Sequence, residues 1–194
     1  MQPTASGDIR RIEDHRDYLR LLVRLQIGPR LRAKFDDSDI VQQVMMQAHE
    51  KRDQFRGLTE GEWLAWLRAV LANALAAAAR RLDTQARDPA RERSLEAELE
   101  RSASRLEGLL AADQTSPSER AVRGEELLRL TQALGRLPDD QRRVVELHYL
   151  KGLPVATVAE AIGRTRPAAV GLLFRGLKRL RELLREPGEL GHGN

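Results

Sequence analysis

Between Gly163 and Arg181 the chain carries Arg164, Arg166, Arg175, Lys178, Arg179 and Arg181 and no acidic residue. Cations at that density suit a polyanion, because each neutralised phosphate releases condensed counterions. Arginine can also pair bidentately with guanine O6 and N7. Thr165 stands among them as a further candidate contact. A second group lies upstream: Phe55, Trp63, Trp66 and Asn73. A base that leaves its stack needs an aromatic face and an amide to receive it, and this group supplies both.

Covalent chemistry finds little support. The absence of cysteine excludes disulfides, thiol catalysis and cysteine-type zinc sites. His15, His49, His148 and His192 are scattered without ligand spacing. No nucleophile–base pair, metal cluster or phosphate loop is visible, so an enzyme, a metal site or a cofactor is not expected. The net charge of +4 is unevenly spread: +3 over residues 1–82, −4 over 83–126 and +5 over 127–194. Basic ends again suit a nucleic acid, although solvated helix faces produce the same pattern. No run of about 18 apolar residues exists to span a membrane, and Met1 to Arg11 lacks an apolar signal core. A soluble, cytoplasmic protein is expected.

These groups need helices to position them. Apolar residues recur at helical spacing nearly throughout and alternating patterns are missing, so the fold class is all-α. With only 4% aromatic residues, small units packed with Leu, Ala and Val are expected. Ile9 to Gln26 reads as a helix broken by Gly28-Pro29. A second helix starts near Ser38 or Asp39, with Ser38 as its N-cap, and runs to about Asp53. Gln54 to Gly57 is a loop, and Thr59 with Glu62 forms a capping box for the next helix, which ends at Arg80-Arg81. Trp63 and Trp66 share a face of that helix; Trp66 is expected partly in the core and Trp63 nearer the loop surface. Residues 83–117, rich in Arg, Glu, Ala and Ser, are expected as a charged, solvated linker, helical in part. Then come a helix containing Leu127 to Leu134, a helix over Gln141 to Leu150, a turn at Lys151 to Pro154, a helix over Val155 to Ile162, and a long helix from Pro167 to about Leu184.

The last two helices have the constraints of a helix-turn-helix: Ala159 as the small contact residue, Gly163 in the turn, and Val158, Ile162, Ala169 and Leu172 facing inward. Leu172, Leu173, Gly176, Leu177 and Leu180 form a packed stripe opposite the basic face, the arrangement DNA docking requires.

The run from Ala133 to Leu184 resembles region 4 of bacterial RNA polymerase sigma factors. The resemblance rests on LP-x-x-QR (Leu137, Pro138, Gln141, Arg142), on Y-L-x-G-L (Tyr149 to Leu153) and on the ending RGLKRLRELL. Upstream, Asp39-Ile40-Val41-Gln42 resembles the D-L-V-Q of region 2. Asp53 to Gly57 is similar to that region's xxFRG, Trp63 to Arg68 to its F-x-x-WL-R, and Asn73 falls at the Asn of its melting helix. The layout of region 2, linker and region 4 is that of the extracytoplasmic-function (ECF) class. The wording of the ending resembles members of the planctomycete type. The resemblance implies two domains, residues 1–82 and 118–194, joined by 83–117. It implies a factor that binds core RNA polymerase, through the β′ clamp coiled coil at Asp39, Val41 and Gln42 and through the β flap at region 4. Phe55, Arg56, Trp63, Trp66, Arg68 and Asn73 would melt the −10 element. Arg164, Thr165, Arg166, Arg175, Lys178 and Arg179 would hold the −35 element. Promoter DNA and an anti-sigma factor are the other implied partners. The Gly-rich tail after Glu186 is expected to add no regulatory domain.

Three positions depart from the family pattern. Gln43 replaces a common Glu, and Ala77 replaces an Asp before the final Arg pair. The order Ala169-Val170 shifts the usual Val by one place, so Val170 is expected to face DNA or solvent. The residues alone also fit two other classes of protein. One is a dimeric helix-turn-helix repressor or activator. The other is an adaptor docked through the linker leucines at 95, 99, 106, 109 and 110.

Overall fold

The computed structural model describes residues 11–27, 34–83, 89–111 and 120–185. The expected break at Gly28-Pro29, the loop around Pro117 and the tail after Glu186 lie outside them. The described residues form helices and turns with no strand among them, so the chain is all-α as expected. After a 3-10 turn at Ile12–His15, the helices are α1 (Arg16–Gln26), α2 (Asp37–Glu50), α3 (Glu60–Asp83), α4 (Pro89–Ala111), α5 (Arg120–Gly135), α6 (Asp139–Val145), α7 (Val155–Ala161) and α8 (Arg166–Arg185). A π-helical turn, Glu146–Leu150, continues α6.

The organising helix is α1. Tyr18, Leu19, Leu21, Leu22, Val23 and Leu25 are all buried, which covers most of its circumference. A helix apolar on so many sides must be surrounded, and α1 indeed packs against α2, α3, α4 and α5. Its remaining edge is Arg16, Arg20 and Arg24, spaced by four. Arg20 donates to Ser38 Oγ at 2.7 Å. Arg24 donates through Nε and Nη2 to Glu146 Oε1, at 3.0 and 2.7 Å.

That ion pair spans 122 residues and ties the N-terminal helices to the π turn. Glu146 is buried, with Arg142 a further 3.9 Å neighbour. The helix expected over Gln141 to Leu150 therefore exists, but its second half is widened: the Lys151 amide donates to the Glu146 carbonyl, five residues back, at 3.0 Å. Gly152, with φ +71°, ends the turn; a Cβ there would also strike the Arg105 guanidinium at 2.8 Å.

The stretch expected as a solvated linker is corrected by α4. Leu99 and Leu106 are fully buried, with Ser102 and Ala103 beside them. Leu99 and Leu106 stand seven residues apart, so they share one face, and the small residues between them let α3 and the π turn approach it. Arg105 of α4 donates to the Leu150 carbonyl at 3.2 Å. The linker leucines 109 and 110 lie where no side chain is described. A second correction concerns α2: its N-cap is Asp36, whose Oδ1 accepts from the Ser38 amide at 2.9 Å. Ser38 is the second residue of the helix, and its hydroxyl accepts from Arg20.

Glu146→Ala leaves two guanidiniums beside an emptied buried site. It should lower unfolding stability by about 3 kcal/mol, the cost of breaking one side of a buried pair. Replacing Arg24 and Glu146 together by apolar residues should recover most of that loss. Urea denaturation of the two single variants and the double variant measures both effects.

Candidate nucleic-acid interface

The helix-turn-helix is α7, the turn at Ile162 to Thr165, and α8. Its turn is closed by the backbone. The Gly163 amide donates to the Glu160 carbonyl at 3.1 Å and the Arg164 amide to the Ala159 carbonyl at 2.9 Å. This pair of bonds is the Schellman ending, which requires a left-handed residue. Gly163 supplies it with φ +64°. Thr165 then caps α8: its Oγ1 accepts from the Ala168 amide at 3.4 Å, and its carbonyl accepts from Ala169. Pro167, the second helical residue, has no amide to satisfy. Thr165, predicted as a DNA contact, is thus first a structural cap, and it remains exposed.

The inward positions behave as the spacing predicts. Val158, Ala159 and Ala169 are buried, and Ile162 and Leu172 half-buried. Leu173, Gly176, Leu180 and Leu183 bury the stripe of α8 against α5 and α6. Gly176 is needed for its size, since a Cβ there would sit 3.1 Å from Val145 Cγ2. This packing leaves Arg164, Arg166, Arg175, Lys178 and Arg179 exposed. Two of these cations have acidic neighbours, Arg164 with Asp140 at 4.0 Å and Arg179 with Glu182 at 3.2 Å. Both pairs are exposed, where such bridges are worth little and exchange readily for phosphate.

The upstream aromatic group comes together in space. Phe55 folds back from its loop against both tryptophans, with ring centroids 5.0 Å from Trp63 and 5.7 Å from Trp66. The two indoles stack at 5.0 Å. Gly57 makes this possible: a Cβ would lie 2.5 Å from the Phe55 ring and 2.8 Å from Glu62 Cβ. The capping box forms as predicted. Glu62 Oε2 accepts from the Thr59 amide at 2.9 Å, and Thr59 Oγ1 accepts from the Glu62 amide at 3.2 Å.

The two tryptophans exchange their expected places. Trp63 is buried, at 2% exposure, against Phe55, Trp66 and His15; Trp66 is the half-exposed ring. His15 is itself held by Glu60 at 2.8 Å, which closes the solvent side over Trp63. Asn73, seven residues after Trp66 and so on the same helix face, is exposed, and so is Arg56, which donates to the Asp53 carbonyl.

Arg68 is corrected outright. It is buried at 8% exposure and donates to Tyr18 Oη at 3.0 Å and to Glu100 Oε2 at 2.9 Å. It joins α1, α3 and α4 and has no free face for DNA. Burial pushes the Tyr18 phenol up to about 12, against the adjacent Arg68 guanidinium, which favours the phenolate. Val41 is likewise buried, whereas Asp39 and Gln42 are exposed. These two line an open groove on α2 with Gln43, Met46, Gln47 and Glu50. Met46, an exposed apolar residue in that groove, was not singled out by sequence; its alternation with exposed polar residues was the available signal.

Trp63→Ala should lower stability by about 3–5 kcal/mol, whereas Asn73→Ala should leave it unchanged, as chemical denaturation will show. A raised phenol pKa stabilises the fold fully below the unfolded value near 10 and loses that contribution as pH rises through about 12. In a Tyr149→Phe variant, where Tyr18 is the remaining tyrosine, ultraviolet titration should therefore place ionisation near 12.

Among the described residues no helix is long and apolar enough to cross a membrane, and no cluster of His, Asp and Glu could hold a metal ion. No curated protein matches the chain. Residues 127–180, which run from the middle of α5 through the helix-turn-helix to Leu180 of α8, match the family described as Sigma-70, region 4.

Proposed function

We propose that this chain is a sigma factor of the ECF class, a non-catalytic subunit that directs core RNA polymerase to promoters. The observation that carries the proposal is the set of exposed cations on a helix-turn-helix, with no acidic residue from Gly163 to Arg181, within the segment that matches sigma-70 region 4. In this reading the turn and α8 hold the −35 element through Arg164, Arg166, Arg175, Lys178 and Arg179. Trp66, Phe55, Asn73 and Arg56 receive the −10 bases; their exposure, with Trp63 stacked behind them, supports that role. The exposed groove of α2, with Asp39 and Gln42, docks on the β′ clamp coiled coil, and region 4 meets the β flap. Arg68, Trp63 and Val41 act through the fold and leave the set of contact residues. The site of action is the cytoplasm, where the polymerase works.

Reconstitution with core RNA polymerase tests the proposal: the purified chain should form a stable complex and yield promoter-specific transcripts. Failure to bind core would overturn it. Asp39→Ala with Gln42→Ala should weaken the complex with core while leaving thermal unfolding unchanged. Lys178→Ala, measured on the assembled complex, should weaken promoter binding uniformly across sequences and reduce the slope of log affinity against log salt by about one.

A further inference from the structure

Val170 and Phe174 are exposed apolar side chains on α8, at 49% and 71% of full exposure. Single exposed apolar residues are ordinary. These two are four residues apart and share a face, and that face lies on the second helix of the helix-turn-helix, the one that enters a major groove. The stretch from Pro167 to Phe174, PAAVGLLF, contains no side chain able to donate or accept a hydrogen bond. Two turns of the recognition helix therefore cannot read a base edge by polar pairing. Polar groups stand only at the two ends of the stretch: Arg164, Thr165 and Arg166 before it, Arg175 and Lys178 after it. Among the groups that base pairs present in the major groove, the apolar one is the C5 methyl of thymine. Charge complementarity selects DNA over an apolar protein surface, because the pair is bracketed by cations and no acid occurs from Gly163 to Arg181.

We propose that Val170 and Phe174 determine sequence specificity by packing against thymine C5 methyl groups in the major groove of the element that α8 holds. The inference rests on the promoter-binding function proposed above and names the base class that the helix selects. Guanine pairing is then left to the arginines at the ends of the stretch.

The test uses the full chain bound to core RNA polymerase. Duplexes are selected from a random library, and the selected duplex is resynthesised with deoxyuridine in place of each thymidine in turn, which removes the methyl and nothing else. Replacement at one or two neighbouring thymines of the upstream element should weaken binding about fourfold, the factor that burying one methyl contributes. Phe174→Ala should bind the thymine and uracil forms equally at one of those positions. Phe174→Leu should keep the preference, and Val170→Ala should lose it at the neighbouring position. Phe174 is exposed, so thermal unfolding of its variants should match the parent and exclude misfolding. A selected duplex that tolerates uracil everywhere yet rejects changed base pairs overturns the methyl contact alone. So does a Phe174→Ala variant that keeps the parent's preference for thymine over uracil, including one that instead loses a protein partner. Selection of no duplex at all overturns the promoter-binding function and this inference with it.

Discussion

The structure depends on the need to cover α1 from every side. Eleven residues supply six buried side chains, Tyr18, Leu19, Leu21, Leu22, Val23 and Leu25, and no single neighbouring helix can shield them all. With aromatic residues scarce, the chain meets this need by gathering α2, α3, α4 and α5 around one core. The three arginines on α1's remaining edge turn it into a polar seam rather than an exposed weakness. Arg24 on that seam reaches the buried Glu146, and through it the first helices are joined to the start of the helix-turn-helix unit.

This shared core has a functional corollary. The exposed groove on α2, the Phe55–Trp66 patch and the basic face of α8 are the surfaces left over after α1 has been enclosed. Each carries residues that would be poor core material: Gln42 and Glu50, Arg56 and Asn73, Arg175 and Lys178. The residues that looked suited to DNA but serve the core, Arg68 and Trp63, are those whose neighbours offer a strong alternative. Arg68 gains a phenol and a carboxylate, and Trp63 gains three ring partners.

What could be read from sequence divides along the range of the interactions. The helix-turn-helix was legible because its determinants are local: Ala159, Gly163 and Ala169 lie within eleven residues of chain, and the capping box of Thr59 and Glu62 spans only four residues. The role of Arg68 was not, because Tyr18 and Glu100 are 50 and 32 residues away. The order of the two tryptophans was misjudged because a loop residue, Phe55, and a distant histidine, His15, decide which ring is covered. Helix α4 looked like a solvated linker because its buried face is made of Leu99, Ser102, Ala103 and Leu106. Half of that face is small or polar, so the periodicity is weak, yet close approach of neighbouring helices requires such residues.

The capped start of α8 bears on how the helix would hold a phosphate backbone. Helix N-termini commonly clasp phosphate with free amides, a rigid contact that fixes one register. Here Pro167 lacks an amide hydrogen and Thr165 occupies that of Ala168, so two of the opening amides cannot serve. Attraction to the backbone falls instead to long, rotatable arginine and lysine side chains, which can pass from one phosphate to the next without moving the helix axis. Such a surface holds the backbone through charge and leaves the register along it to the base contacts of the helix.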